Sequence, residues 1–308
     1  MMNIGYLAVG EIKKEFMFDD KGDAGIAKAL ANNHEVYAFS QEQTDGDFVY
    51  EAYSVSRGKR VTVRKQMNDF LDVLFIAGFR KPNENRDEVY DFMRVMDNID
   101  IPVINPPDNF FSLDDKKYLF RLQEKGIPFP KTELVSSKDG LINLISSATQ
   151  EHKIIVKPVR GQGGKGIERF PGGDEELILS FLQEQKEVFV QTYIPEIVNG
   201  EINVICFDYD IKYAIKKVPK DFLSNWAHAS RVEETELNED DKEFVMNILS
   251  SEEFLPKVTR VDFVRTYASP FLMEISANRP ALYSTVINGG PVRVAKYLED
   301  LLKREVFR

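Results

Sequence analysis

The chain has 308 residues, of which 43% are hydrophobic and 29% charged, and it carries a net charge of −10. That is enough apolar material for a sizeable core and a length suited to about two domains, while the acidic balance argues against a general nucleic-acid binder, which presents a basic face. The single cysteine, Cys206, rules out an intrachain disulfide; no window approaches the ~18 apolar residues of a membrane span, so no membrane partner and a cytoplasmic location are expected.

Residues 3–9 read as a strand, 23–32 as a helix and 34–39 as a second strand. The run DFLDVLFIA at 69–77 has the continuous apolar character of a strand buried on both faces. Residues 88–96 place Val89, Phe92, Met93 and Met96 on one helical face, and 101–104 form another short strand. This alternation predicts a small sheet flanked by helices. A helix follows at 112–125, with Ser112 or Asp114 as N-cap and Gly126 as its stop. Strand 131–135, helix 139–149, strand 153–157, helix 174–185 and strand 188–193 make a second α/β unit. Residues 201–207 and 211–218 read as paired strands about an Asp208-Tyr209-Asp210 turn, and 220–235 as an irregular loop over a site. Helix 240–249, strands 257–265 and 271–276 and helix 291–302 complete the chain. Cys206, inside the apolar stretch 203–207, reads as a buried small apolar residue.

The most informative segment is KIIVKPVRGQGGKGIERF at 153–170. A β-branched run delivers Lys157, a proline stops the strand, and Gly161, Gly163, Gly164 and Gly166 follow. Glycines let a loop close its backbone N–H groups over an anion, and Lys157 stands ready to meet the same anion, which points to a nucleotide triphosphate. Neither the GxxxxGK[ST] loop nor an N-terminal GxGxxG is present. Lys116 and Lys117, expected inside the first turns of the 112–125 helix, offer further cations for a polyphosphate. Gln191, Thr192, Tyr193 and Ile194 end a strand with backbone donors and an apolar side chain, which suits an adenine ring. Asp262 and Glu274 each interrupt an apolar strand; carboxylates in such positions are costly unless paired or metal-bound. A hairpin would turn both toward one cleft, where a hard divalent cation needs carboxylate oxygens together with phosphates. His34 and His152 fall in expected turns, and His228 lies in the loop beside Asn225 and Trp226. No histidine–cysteine cluster has metal-ligand spacing, and GxSxG is missing.

In order, these pieces resemble the ATP-grasp superfamily and, within it, glutathione synthetase-like carboxylate–amine ligases. The strand at 72–79 followed by Arg80 resembles the family's DxxxxR; Asn105-Pro106-Pro107 through Lys116 its NxP…K; Lys157-Pro158 and the glycines its VKPxxGxGGxGI; 191–197 its QxYxPEI; Lys216 to Pro219 with Asn225 its xRxP…N. The resemblance implies an α/β (α+β) fold with an N-terminal parallel-sheet domain at 1–111, a lid at 112–195 and a catalytic mixed-sheet unit at 196–308. It implies ATP held by Lys116, Lys157, the glycine loop, Gln191, Tyr193 and Ile194, with Glu201 on the ribose. It implies magnesium (Mg²⁺), or manganese (Mn²⁺), on Asp262 and Glu274. Lys217 stands where the family has an arginine near the γ-phosphate, and Arg279 would grip a substrate carboxylate. The family's EINxTSPTG reads Glu274-Ile275-Ser276-Ala277-Asn278-Arg279-Pro280 here, leaving Ser276, Asn278 or water as third metal ligand. Arg80, Asn225 and His228 are the candidate substrate contacts. The implied reaction is ATP-dependent amide formation through an acyl phosphate, between a small carboxylate and an amine of amino-acid or short-peptide type. A kinase and a nucleotide-binding regulator are the alternatives. The departures fall on acceptor elements, so glutathione is not implied as the product. A homo-oligomer would fit the resemblance.

Overall fold

A computed structural model describes residues 1–8, 22–45, 47–78, 90, 94, 98–137, 139–140, 154–161, 166–170, 187–222, 229–251, 255–276 and 280–308. The expected helices at 88–96, 139–149 and 174–185 fall wholly or largely outside these residues, as do Arg80, Gly163, Gly164, Asn225, His228, Asn278 and Arg279.

Three sheets follow one another along the chain. The first contains β1 (Asn3–Leu7), β2 (Glu35–Phe39), β3 (Thr44–Asp45), β4 (Phe48–Ser54), β5 (Lys59–Gln66), β6 (Val73–Ile76) and β7 (Val103–Ile104), in the order β3-β4-β2-β1-β6-β7 with β5 on β4. Its centre is parallel, β1 pairing with both β2 and β6, and α1 (Gly22–Ala31) connects β1 to β2. That strand–helix–strand start matches the sequence reading. The antiparallel meander β3–β5 does not appear in that reading. Its signal is present in Arg60-Val61-Thr62-Val63-Arg64, where two core-packed valines alternate with polar residues.

The second sheet is β8 (Thr132–Val135), β9 (Ile154–Pro158), β10 (Glu168–Phe170) and β11 (Val188–Thr192), ordered β10-β9-β11-β8 and antiparallel throughout. The third is β12 (Glu201–Phe207), β13 (Asp210–Pro219), β14 (Ala229–Thr235), β15 (Val258–Val264) and β16 (Phe271–Ser276), ordered β14-β13-β12-β15-β16. The expected turn joins β12 to β13, with Asp208 at φ 54° and Tyr209 at φ 65°, the left-handed pair that a tight hairpin requires. The irregular loop expected at 220–235 is corrected: 229–235 is the edge strand β14, paired with β13. It is polar because it is an edge, so polarity there does not mean lack of structure.

A second correction concerns the helix expected at 112–125. It is two helices, α2 (Pro107–Asp114) and α3 (Tyr118–Glu124). At the break the Lys116 N–H donates to Val159 O at 3.1 Å, not to a carbonyl of the preceding turn, and Asp115 is extended (ψ 108°). The lysine pair therefore sits on a joint that meets the root of the glycine loop.

The third sheet separates two cores. On one face Ile202, Val204, Cys206, Val261 and Phe263 pack against Tyr118, Leu119 and Leu122 of α3 and Phe244, Val245 and Ile248 of α4 (Glu239–Ser251). Cys206 is buried and free, as expected, and burial pushes its thiol up to about 12. On the other face Ile205, Phe207, Tyr213, Ile215 and Val258 join Ile4 and Tyr6 of the first sheet and Val294, Leu298 and Leu301 of α5 (Gly290–Val306). Among the described residues, no helix is long and apolar enough to cross a membrane.

Asn105 ties the first sheet to the third. It is buried at φ 58°, a conformation asparagine tolerates better than most residues. Its Nδ2 donates to Val258 O at 2.8 Å, and its Oδ1 accepts from the Val258 N–H at 2.9 Å. Asn105→Ala strands both Val258 groups, so a loss of about 2–4 kcal/mol is expected in denaturant unfolding. An unchanged midpoint would remove this joint from the account.

Candidate active site

Strand β9 carries Lys157 into the interior, 6% exposed, where its Nζ lies 3.2 Å from Gln191 Oε1 on β11. Gln191 is oriented in turn by its Nε2 donating to Thr132 Oγ1 at 2.7 Å. Gly161 and Gly166 (φ 70°) flank the undescribed tip of the glycine loop. The root of that loop is held by Lys116, whose Nζ donates to Gly161 O at 2.7 Å, and by Arg160, which reaches Asp115 Oδ2 at 3.1 Å. Lys117 faces away from this cleft, to Glu187 at 2.7 Å.

A cleft of about 720 Å³, partly open to solvent, lies between the second and third sheets. Its apolar lining includes Ile155, Ile194, Phe222 and Met273, with the Tyr193 ring; its polar lining includes Lys116, Lys157, Glu201 and Glu274. Arg169 of β10 stacks over Phe222, 4.7 Å from the ring centre, and lies 5.6 Å from that of Tyr193. One end of the cleft therefore suits a flat apolar ring and the other an anion.

The third sheet supplies the acidic end by strand register. Asn203 opposes Asp262, Asp262 opposes Glu274, and Glu201 opposes Lys217. Side chains directly opposite on neighbouring strands share a face, so Asp262 and Glu274 point to one side, as the hairpin reading requires. Arg260, two residues before Asp262, shares that face. It grips the Asp262 carboxylate in a fork, Nε to Oδ1 and Nη2 to Oδ2, both at 2.7 Å. Lys217 meets Glu201 Oε1 at 2.8 Å and Lys116 meets Glu274 Oε1 at 3.4 Å. Each of the three carboxylates thus has a cation. Among the described residues, Lys157 has only a neutral amide within hydrogen-bond reach.

The charge states follow. Burial, and then the Lys116 charge, lower Lys157 to about 8. Burial raises Asp262 to about 6 against the pull of Arg260. Burial alone would raise Glu274, but Lys116, Arg260 and Lys157 together bring it below the usual range. Burial would lower Lys217 and Arg260, but Glu201 raises the first and Asp262 the second above their ordinary values.

Glu201, expected to reach a ribose, lines the cleft but directs Oε1 to Lys217 and to Asn203 Nδ2, both at 2.8 Å. Ser276 ends β16 opposite Arg260, on the Glu274 face. Sequence reasoning missed Arg260, Asn203 and Tyr283. Arg260 could have been found by the logic that found Asp262, since both are charges inside one apolar strand. Among the described residues no three His, Cys, Asp or Glu side chains gather to hold a metal. The set Asp262 and Glu274 fits a hard cation that draws its remaining oxygens from a phosphate chain and water. Glu274, 38% exposed, is the accessible member; the Asp262 side chain is 3% exposed.

Residues 120–253 match the family described as prokaryotic glutathione synthetase, ATP-grasp domain. The whole architecture is similar to that of the ATP-grasp ligase PsnB, solved with a phosphomimetic precursor variant, Mg and ADP (TM-score 0.67, 14% identity, 99% of this chain and 98% of that one). This is an ATP-grasp fold. D-cycloserine synthetase DcsG shares it (TM-score 0.70, 18% identity, 97% and 99% covered). Among curated sequences, the chain is 30% identical over 156 residues to the glutathione synthetase of Prochlorococcus marinus subsp. pastoris, 49% of each chain. The cycloserine biosynthesis protein of Streptomyces lavendulae is 26% identical over 208 residues, 61% of this chain and 70% of that one. The match to the glutathione synthetases spans about half the length of those relatives.

Proposed function

We propose that the protein is an ATP-dependent carboxylate–amine ligase that forms an amide through an acyl phosphate. The observation that carries this reading is the single cleft in which Lys116, Lys157, Glu201 and Glu274 share a lining with an apolar shelf, beside the Asp262–Arg260 pair on the same sheet face. Ring and ribose fit the end formed by Tyr193, Ile194 and Phe222, with Glu201 on the ribose. The phosphates fit Lys116, Lys157 and the glycine loop, and Gln191 keeps Lys157 aimed. Asp262 and Glu274, with Ser276, Asn278 or water as third ligand, would hold Mg²⁺ or Mn²⁺, which supplies charge neutralisation at the β- and γ-phosphates. PsnB, solved with Mg and ADP, supports that choice.

In the first step an oxygen of the substrate carboxylate attacks the γ-phosphorus, and the bond to the β–γ bridging oxygen breaks, releasing ADP. Lys116, Lys157 and Lys217 meet the oxygens on which charge builds. In the second step the amine nitrogen attacks the acyl carbon, phosphate leaves with the bonding pair, and the amine proton passes to solvent. The second sheet with its glycine loop acts as the lid that excludes water from the acyl phosphate; α3, although inside the proposed 112–195 unit, packs on the third sheet and stays with it. Arg80, Asn225, His228 and Arg279 remain the proposed substrate contacts. The acceptor is an amino acid or a short peptide. The location is cytoplasmic.

The test is phosphate release with MgATP and paired amino acids or peptides, with mass spectrometry of the product. Amine-dependent phosphate and an amide product are expected. A stable phosphorylated product would make the protein a kinase, and nucleotide binding without turnover would make it a regulator; either overturns the ligase reading.

A further inference from the structure

Behind the cleft runs a hydrogen-bonded chain that the proposed reaction does not use directly. Tyr283, 8% exposed, donates its hydroxyl to Asn203 Oδ1 at 2.8 Å. Asn203 is fully buried, and its Nδ2 donates to Glu201 Oε1 at 2.8 Å, the oxygen that Lys217 Nζ also meets at 2.8 Å. The polarity of this chain is forced from its far end. An ammonium only donates and a carboxylate only accepts, so Asn203 must turn its NH₂ to Glu201 and its carbonyl to Tyr283, which must then donate.

Tyr283 is held in a conformation that tyrosine rarely adopts, φ 47°. Such a backbone persists only where its surroundings over-determine it. The residue before it is pinned by Tyr213, whose hydroxyl donates to Leu282 O at 2.7 Å. The Arg260 guanidinium lies over the ring, 5.9 Å from its centre. One side chain thus borders two buried cations of the third sheet, Lys217 through Asn203 and Glu201, and Arg260 directly.

We propose that Tyr283 is a positioning residue for the nucleotide site: through Asn203 it fixes the rotamer of Glu201, and through Glu201 the place of Lys217. The physical reason is the two-faced amide. Without the phenol hydroxyl, Asn203 has an orphaned buried carbonyl, and its side chain gains by swinging away to reach another donor. That movement withdraws the NH₂ from Glu201 Oε1, which loosens both Glu201 and its hold on Lys217. Both contacts on Glu201 fall on Oε1, leaving Oε2 for a ligand hydroxyl. This inference rests on the reading of the cleft as a nucleotide site.

Tyr283→Phe keeps the ring and removes only the donor. The experiment measures the Kd of Mg-ADP and of 3′-deoxy-ADP by calorimetry, with the thermal midpoint, for the unaltered protein, Tyr283→Phe, Asn203→Leu and the double variant. The expected result is about tenfold weaker Mg-ADP binding in Tyr283→Phe and collapse of the preference for the 3′-hydroxyl. The double variant should bind no worse than Asn203→Leu alone, because both changes cut one chain, while its midpoint recovers as the orphaned carbonyl is removed. Losses that add, or a preference for the 3′-hydroxyl that survives in Tyr283→Phe, would overturn the proposal alone. Failure of the unaltered protein to bind Mg-ADP would overturn the nucleotide reading and this proposal with it.

Discussion

Lys157→Met is expected to weaken nucleotide binding by about a hundredfold and to leave no measurable ADP formation. Lys157 is a buried cation of the cleft with, among the described residues, no carboxylate in hydrogen-bond reach; its hydrogen bond goes to the neutral Gln191. Lys116, Lys217 and Arg260 each already face a carboxylate, so each must loosen or share an ion pair to meet a phosphate. Lys157 need not, and it is therefore the residue whose loss the site can least replace.

Burial, and then the neighbouring Lys116 charge, make Lys157 pH-sensitive. Its folded value of about 8 lies below the ordinary lysine value of 10.5, a difference worth about 3 kcal/mol against the folded state. The unfolded chain holds more protons between those values, so this group's contribution to stability rises as pH rises from about 8 toward 10.5, and the penalty is fully present below 8. Lys157→Met removes the penalty, so the variant should be more stable than the unaltered protein at pH 7, with the gap closing at high pH. Phosphate beside Lys157 restores the proton, so nucleotide binding should take up protons near pH 9. Calorimetry in buffers of different ionisation enthalpy reads this directly. Uptake that persists in Lys157→Met would assign the proton to another group.

Asp262→Asn is expected to abolish ADP formation and to destabilise the protein by about 3–5 kcal/mol. The second effect comes from Arg260, which is left buried and charged with its forked partner neutralised. The single variant alone would therefore confuse a catalytic loss with a folding loss. Replacing the pair together, Arg260→Met with Asp262→Leu, removes both charges and should recover most of the thermal midpoint, because well-packed apolar substitutes for buried ion pairs are often neutral or better. Activity should stay absent. Turnover in the double variant would show that Asp262 is structural; an unchanged midpoint in Asp262→Asn would show that Arg260 has another partner.

What could be read directly from the residues was whatever depends on local pattern. The strands β9, β11, β12, β15 and β16 announce themselves as β-branched and apolar runs, and in each the odd polar residue marks a place where burial needs a reason. Lys157, Asp262 and Glu274 were legible in this way. Asn105 was legible as part of a motif, but its task was not, since its partner Val258 lies in another sheet. The meander β3–β5 and the edge strand β14 were hard to see because exposed strands carry charges that mask their alternation. The helix break at Asp115–Lys117 was invisible for a different reason: the carbonyl that draws the Lys116 N–H out of the helix belongs to Val159, in the segment that follows β9.

The sequence by itself determined the α/β class, the lysines and glycines offered to an anion and the placing of two carboxylates inside apolar strands, because hydrophobic period and side-chain chemistry are local properties. Only the tertiary structure decided which charge answers which. Arg260 answers Asp262, Lys217 answers Glu201, and Tyr283 reaches Asn203 across 80 positions of chain. Those pairings depend on strand register and on the approach of distant segments. A buried polar group takes whatever partner the packing brings within about 3 Å.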